Sequence, residues 1–223
     1  MSYDGLLLDF DGVVVNVLPD DRRVPAFRDR IAEELREYRS GGFDIDDLAA
    51  DLAHGVTFDK LSRLSNTAEI PEEDLWRARD DALADVLDRA ARDGHKTPYD
   101  DVTALSALDH PVGIVSNNQR RVVESVSDRF GLAEQFGTIR ARDPHPESLR
   151  RKKPEPTFLE GSIRDLGVEN PLFVGDKETD VRAGQRAGVD TVLLRREHNA
   201  GRRIDAEPTY EVNRLDAVVD LFE

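Results

Sequence analysis

Apolar positions along the chain fall into two regimes. Residues 3–10 begin as a short apolar run, Leu6-Leu7-Leu8, that stops abruptly at Asp9-Phe10-Asp11-Gly12, the pattern of a strand buried on both faces. Beyond Val13-Val14-Val15 the period becomes helical. Pro25 is placed to open a helix carrying Phe27, Ile31, Leu35 and Tyr38 on one face, and Ser40-Gly41-Gly42 is placed to stop it. Further helices are predicted over residues 46–53 and 58–64. A fourth starts at Pro71, with Glu72, Glu73 and Asp74 in its first turn and Leu75, Ala78, Ala82, Val86 and Ala90 on one face.

From Pro98 onward strand and helix patterns alternate, over 112–115, 120–130, 138–141, 155–166, 172–174, 179–187 and 191–194. Such alternation makes a parallel sheet covered by helices. Gly131, Gly167 and Gly188 stand where helix C-terminal caps are wanted. The expected fold class is α/β: a core of residues 1–16 and 97–223, interrupted after its first strand by a helical insertion over 17–96. There is no internal repeat, and the longest irregular stretch is 143–153.

Composition narrows the function. Of 223 residues, 46 are acidic and 31 are lysine or arginine, a net charge of −15. That balance argues against a nucleic-acid partner, because phosphate backbones are held by clustered basic side chains. With 39% hydrophobic residues, no apolar run near the roughly 18–20 residues that span a bilayer and no signal pattern, the expectation is a soluble cytoplasmic protein without a membrane partner, a monomer or a homodimer. The absence of cysteine excludes disulfides, thiolate metal sites and a cysteine nucleophile. Only five lysines accompany abundant arginine and acid, which is similar to proteins from salt-loving archaea; an acidic surface that keeps the chain in solution accounts for it equally.

In an open α/β sheet, sites form beyond the carboxyl ends of the strands. The residues there are Asp9 and Asp11, then Ser116 and Asn117, then Lys153, then Asp176 with Asp180 four residues on. Carboxylates converging at one sheet edge repel one another unless a cation neutralises them, and hard oxygen ligands without histidine or cysteine select Mg²⁺. Asp9, Asp11, Asp176 and Asp180 are the expected metal ligands. Asp9 is the expected nucleophile. Asp11, two residues on and on the same side if the chain stays extended, is the expected acid and base. Gly12 permits a tight turn and close backbone approach to phosphate, while Lys153, Ser116 and Asn117 are expected to hold the phosphoryl oxygens.

These stretches carry a family resemblance. Asp9-Phe10-Asp11-Gly12-Val13, Val115-Ser116-Asn117, Lys153-Pro154-Glu155-Pro156 and Gly175-Asp176-Lys177-Glu178-Thr179-Asp180 resemble, in order, the four signatures of the haloacid dehalogenase (HAD) superfamily. The resemblance spans nearly the whole chain. It implies a Rossmann-like core with an α-helical cap at 17–96, and a Mg²⁺-dependent phosphatase of the phosphoglycolate phosphatase-like type, acting through a phospho-aspartate on a small phosphorylated metabolite. In relatives the cap sets specificity, which makes His54, Phe58 and Lys60 candidates for substrate contact. Asn16-Val17 and Lys177 depart from the residues many relatives have there. A phosphomutase would use the same residues, and a non-catalytic binding module would keep the same fold.

Taken singly, each stretch has a plainer reading. Asp-Gly after a strand is an ordinary turn, Ser116-Asn117-Asn118 can cap the following helix, Lys153 can be a solvated loop lysine, and Asp176 and Asp180 suit a helix N-terminus. Their conjunction in one order supports the chemical reading. Trp76 reads as a core residue, Arg150-Arg151-Lys152 as loop charge, and His95, His110, His145 and His198 carry no metal-ligand spacing.

Overall fold

The computed structural model describes residues 2–38 and 43–222; the helix stop expected at Ser40-Gly41-Gly42 lies outside them. Strands β1 (Gly5–Leu8), β2 (Val112–Gln119), β3 (Thr138–Arg142), β4 (Pro171–Gly175), β5 (Asp190–Leu194) and β6 (Tyr210–Val212) form one sheet, ordered β3-β2-β1-β4-β5-β6. Every pairing is parallel. β1 is therefore the switch point, with later strands added on both of its sides, and the ligand crevice of such sheets opens at that point. All four β1 residues are buried, as its uninterrupted apolar run requires.

Helices α5 (Arg120–Arg129), α6 (Thr157–Leu166), α7 (Glu178–Ala187) and α8 (Asp216–Val219) complete the core together with short 3₁₀ turns. One hydrophobic cluster joins Leu7, Val115 and Phe173 of the sheet to Phe158 and Leu159 of α6 and Ala183 of α7. A smaller one joins Val181, Leu193 and Ala206. Where the chain leaves and re-enters the core, Asn16 N donates to Thr97 O at 2.9 Å and Thr97 N donates to the Asn16 carboxamide at 3.0 Å.

Residues 18–96 and 143–150 form a second compact unit. It holds α1 (Asp20–Glu34), α2 (Ile45–Ala53), α3 (Phe58–Ala68) and α4 (Glu72–Arg92), with α1 packed on α2 and α4. Phe27, Ile31, Leu52, Leu61 and Trp76 fill its interior. The Arg79 guanidinium lies 5.5 Å from the Trp76 ring and 5.3 Å from the Phe27 ring.

Several boundaries differ from those expected. β1 ends at Leu8 because the chain turns at Asp9. α1 begins at Asp20, with Pro19 as N-cap and Asp20 and Asp21 in its first turn, so Pro25 lies inside the helix rather than opening it. The overlooked signal was the Pro-Asp-Asp start, in which acids meet the positive end of the helix dipole. α3 runs on to Ala68, and β2 continues through Ser116 and Asn117 to Gln119. β6 and α8 were not anticipated: a three-residue edge strand and a four-residue helix are too short to show a period.

Candidate active site

The turn after β1, the loop before α6, the end of β4 and the start of α7 bring four side chains into the core. Asp9, Lys153, Asp176 and Asp180 are each 5% exposed or less. Lys153 Nζ lies 2.9 Å from Asp9 Oδ1 and 2.7 Å from Asp180 Oδ1, and it donates to the Val115 carbonyl at 2.8 Å. One ammonium thus joins two carboxylates and a carbonyl within strand β2. Buried charges persist only with such partners.

Burial pushes the Asp9 carboxyl up, to about 7, with Asp180 and Asp176 adding to the rise while Lys153 and Lys177 oppose it. Burial acts to lower Lys153, but Asp180 and Asp9 outweigh it and hold the ammonium above its ordinary range. The cluster is short of positive charge, and Asp9 is where the shortage falls.

The chain does not stay extended beyond Asp9. Phe10 N donates to Asp9 Oδ1 at 2.7 Å, and the Phe10 carbonyl accepts from Val14 N and Val15 N, closing a tight turn. Asp11 therefore reaches its place through the turn, not through strand alternation; its Oδ2 accepts from Asn118 Nδ2 at 2.8 Å. Gly12, in this turn, has φ +94°, and a Cβ there would lie 2.4 Å from Asp176 Oδ2. Its backbone meets the carboxylate as only glycine allows.

Asp176 is bonded through both oxygens. His198 Nε2 lies 2.7 Å from Oδ2, and Lys177 Nζ donates to Oδ1 at 3.1 Å. Burial acts to raise this carboxyl, but the bonds from His198 and the Lys177 charge prevail and lower it. Asp180 Oδ2 accepts from Lys177 N at 2.9 Å, the cap expected at a helix start. Gly175 lets α7 close on the strand: a Cβ there would lie 2.1 Å from that of Asp180.

Ser116 is buried, and its hydroxyl accepts from Asn118 N at 3.1 Å. The Asn117 carboxamide brackets the backbone of Lys153, accepting from its N–H at 2.7 Å and donating to its carbonyl at 3.0 Å. In the helical unit, His54 Nδ1 donates to Ala50 O at 2.7 Å, and Lys60 Nζ donates to the Asp51 carbonyl at 2.5 Å. The ring of Phe58 lies 4.0 Å beneath the guanidinium of Arg150. The cap candidates His54, Phe58 and Lys60 are thus all engaged within their own unit.

His198 was missed by sequence reasoning. It sits on a one-turn 3₁₀ segment after β5, with no spacing to tie it to Asp176. The available signal was Asn199, whose carboxamide donates to Asp176 O at 2.8 Å and Leu194 O at 2.9 Å and so fastens that turn to the strand ends.

Among the described residues, Asp9, Asp176 and Asp180 offer oxygens within 4.8 Å of one another. An all-oxygen donor set in a charge-deficient pocket fits a hard divalent cation such as Mg²⁺.

Comparison with known proteins identifies the family. The model of haloacid dehalogenase-like hydrolases matches residues 3–188. An N-acetylmuramic acid 6-phosphate phosphatase of Pseudomonas aeruginosa is 31% identical over 87% of this chain and 83% of its own length. A phosphoglycolate phosphatase of Psychrobacter arcticus is 27% identical over 99% of this chain and 96% of its own. The solved structure of CbbY from Rhodobacter sphaeroides in complex with phosphate shares the fold, with a TM-score of 0.67 over 97% of this chain and 96% of that one at 14% identity. The parallel sheet, the carboxylates gathered at its switch point and the match over most of the sequence place this chain in the haloacid dehalogenase-like hydrolase family.

Proposed function

We propose that this chain is a Mg²⁺-dependent phosphatase that hydrolyses a small phosphomonoester of the phosphoglycolate type through a phospho-aspartate on Asp9. The observation that carries the reading is the buried cluster of Asp9, Lys153, Asp176 and Asp180 at the end of the switch-point strand. Relatives matched over most of the chain are phosphatases of small phosphorylated metabolites. The helical insertion, 17–96, serves in this reading as the cap that selects the substrate.

Asp9, Asp176 and Asp180 are the residues that would hold Mg²⁺. A bound ion would supply the positive charge that the cluster lacks and neutralise phosphate oxygens. Asp9 attacks phosphorus through a carboxylate oxygen while the bond from phosphorus to the ester oxygen breaks. Asp11 gives its proton to the departing oxygen. It then takes a proton from the water that attacks the acyl phosphate, which releases inorganic phosphate and regenerates Asp9. Lys153 and the Ser116 hydroxyl hold the transferred group's oxygens.

The test is phosphate release from a panel of small phosphomonoesters, with Mg²⁺ and with EDTA, at low and at molar salt. Release that needs the metal and is lost in Asp9→Asn is expected. Release that persists in Asp9→Asn, or is indifferent to EDTA, overturns the mechanism. An isomeric sugar phosphate formed from a sugar 1-phosphate without net phosphate release would instead identify a mutase.

A further inference from the structure

The two oxygens of Asp176 are held by partners that are anchored differently. His198, on Oδ2, stands on a turn fastened by Asn199 to Asp176 O and Leu194 O, and Asn199 Oδ1 accepts in addition from Arg196 N at 2.7 Å. Its other ring nitrogen lies 3.5 Å from the Tyr99 hydroxyl, and that tyrosine ring is covered by the Arg196 guanidinium at 4.0 Å. The imidazole reaches the surface, but both of its ring nitrogens have partners and its backbone turn is fastened to the strand ends.

Lys177, on Oδ1, differs. Its backbone is fixed, because its N–H donates to Asp180 Oδ2 and its carbonyl accepts from Asp180 N. Its side chain is 40% exposed and, among the described residues, its one ion pair is with Asp176, with Asp9, Asp180 and Asp11 drawing its charge from farther off. Four flexible carbons can carry the ammonium into water without disturbing the fold.

The rest of the cluster shows why this matters. Asp9 Oδ1 accepts from Phe10 N and meets Lys153, while the Asp180 oxygens are met by Lys153 and by Lys177 N. Among the described residues, Asp180 Oδ1 is met by Lys153 alone and Asp9 Oδ2 faces no such partner, while Asp176 Oδ1 opens to a cation once Lys177 withdraws. A dication approaching Asp176 Oδ1 meets the Lys177 ammonium, a like charge 3.1 Å from the oxygen it seeks.

We propose that Lys177 is a displaceable resident cation: its ammonium holds Asp176 Oδ1 in the metal-free protein and swings out as a divalent cation enters, while His198 stays and positions Asp176. Lys177 thereby stabilises the metal-free cluster and weakens divalent affinity. His198 is a positioning residue that strengthens it by fixing the ligand's orientation. The proposal rests on the reading of Asp9, Asp176 and Asp180 as the metal centre.

The test is calorimetric titration of MgCl₂ into EDTA-stripped protein, for the original chain and for Lys177→Met, Lys177→Arg and His198→Asn, with thermal melts in EDTA and in Mg²⁺. Lys177→Met should bind Mg²⁺ about tenfold more tightly, melt lower than the original chain in EDTA, and gain more from Mg²⁺. Lys177→Arg, which keeps the charge, should stay near the original affinity, and the folding of each variant is read from the same melts. His198→Asn should bind roughly 10- to 100-fold more weakly.

A Lys177→Met affinity within about twofold of the original, or one matched by Lys177→Arg, overturns the role of Lys177. So does an unchanged metal affinity with a raised KM, which would make the ammonium a substrate contact. An unchanged affinity in His198→Asn overturns the positioning role. If neither the original chain nor any variant binds Mg²⁺ at millimolar concentration, the metal-centre reading fails, and this proposal with it.

Discussion

Asn117 holds Lys153 by the backbone rather than by its charge: a single carboxamide accepts from the lysine's N–H at 2.7 Å and donates to its carbonyl at 3.0 Å. The side chain thus acts as a short piece of strand, pairing a loop residue with the end of β2. Asn117→Ala should remove both bonds, at a cost of about 1–3 kcal/mol in stability. It should also lower kcat by at least about tenfold, because a misplaced Lys153 no longer meets the phosphoryl oxygens. Urea unfolding and steady-state kinetics read the two effects separately. An unchanged kcat would mean that Asp9 and Asp180 alone keep Lys153 in place.

Gly12→Ala combines two penalties. A side chain at φ +94° costs about 1–2 kcal/mol, and its Cβ would push into the Asp176 carboxylate. The expected outcome is a protein that still folds, shown by circular dichroism, but has lost most of its Mg²⁺ affinity in calorimetry. Normal affinity would show that Asp176 can yield.

The Asp101 and Arg196 side chains form a buried pair, with bonds of 2.7 and 2.8 Å, and Leu215 N donates to the same carboxylate at 2.8 Å. Burial acts to raise the Asp101 carboxyl, but the bonds from Arg196 and Leu215 dominate and lower it. A carboxyl lowered on folding stabilises fully above its unfolded value, near about 4, and the contribution is lost as pH falls through the folded value. Asp101→Asn should therefore cost about 3–5 kcal/mol at neutral pH. The gap in urea midpoint between variant and original chain should begin to narrow as pH falls below about 4 and close only below the folded value. A gap that stays constant down to pH 3 would assign the loss to packing instead.

Lys60 separates two roles. Its ammonium meets the Asp51 carbonyl at 2.5 Å and the Asp51 carboxylate at 3.4 Å, tying α3 to the end of α2. Lys60→Met should lower the stability of the helical unit by about 1 kcal/mol and leave KM little changed. A KM raised tenfold or more without loss of stability would instead assign Lys60 to the substrate.

Legibility in the sequence followed period and burial. The central strands were readable because β1 and β4 are apolar throughout, and the residues after them were readable because a charged residue directly after such a run must lie at a sheet edge. Asp9 and Asp176 belong to that class. Lys153 came from motif resemblance, since nothing in its loop's periodicity separates a buried ammonium from a solvated one. The turn that carries Asp11 was misjudged because its geometry is set by Val14 N and Val15 N folding back on Phe10 O, bonds that leave no trace in residue spacing. His198 stayed invisible for a related reason: its bond to Asp176 spans 22 residues and depends on how a strand and a one-turn helix end together.

The strand order has a further consequence for how the protein comes into being. β1 is a central strand, hydrogen-bonded to β2 and β4, and Asp9 finds its charged partner at position 153. On the ribosome the proposed nucleophile is made early and must wait, solvated and unpaired, until some 140 further residues have emerged. Contacts so distant along the chain close slowly. The carboxylate cluster therefore cannot form piecemeal, and if it holds the proposed cation, that ion would bear on when the core closes as well as on turnover.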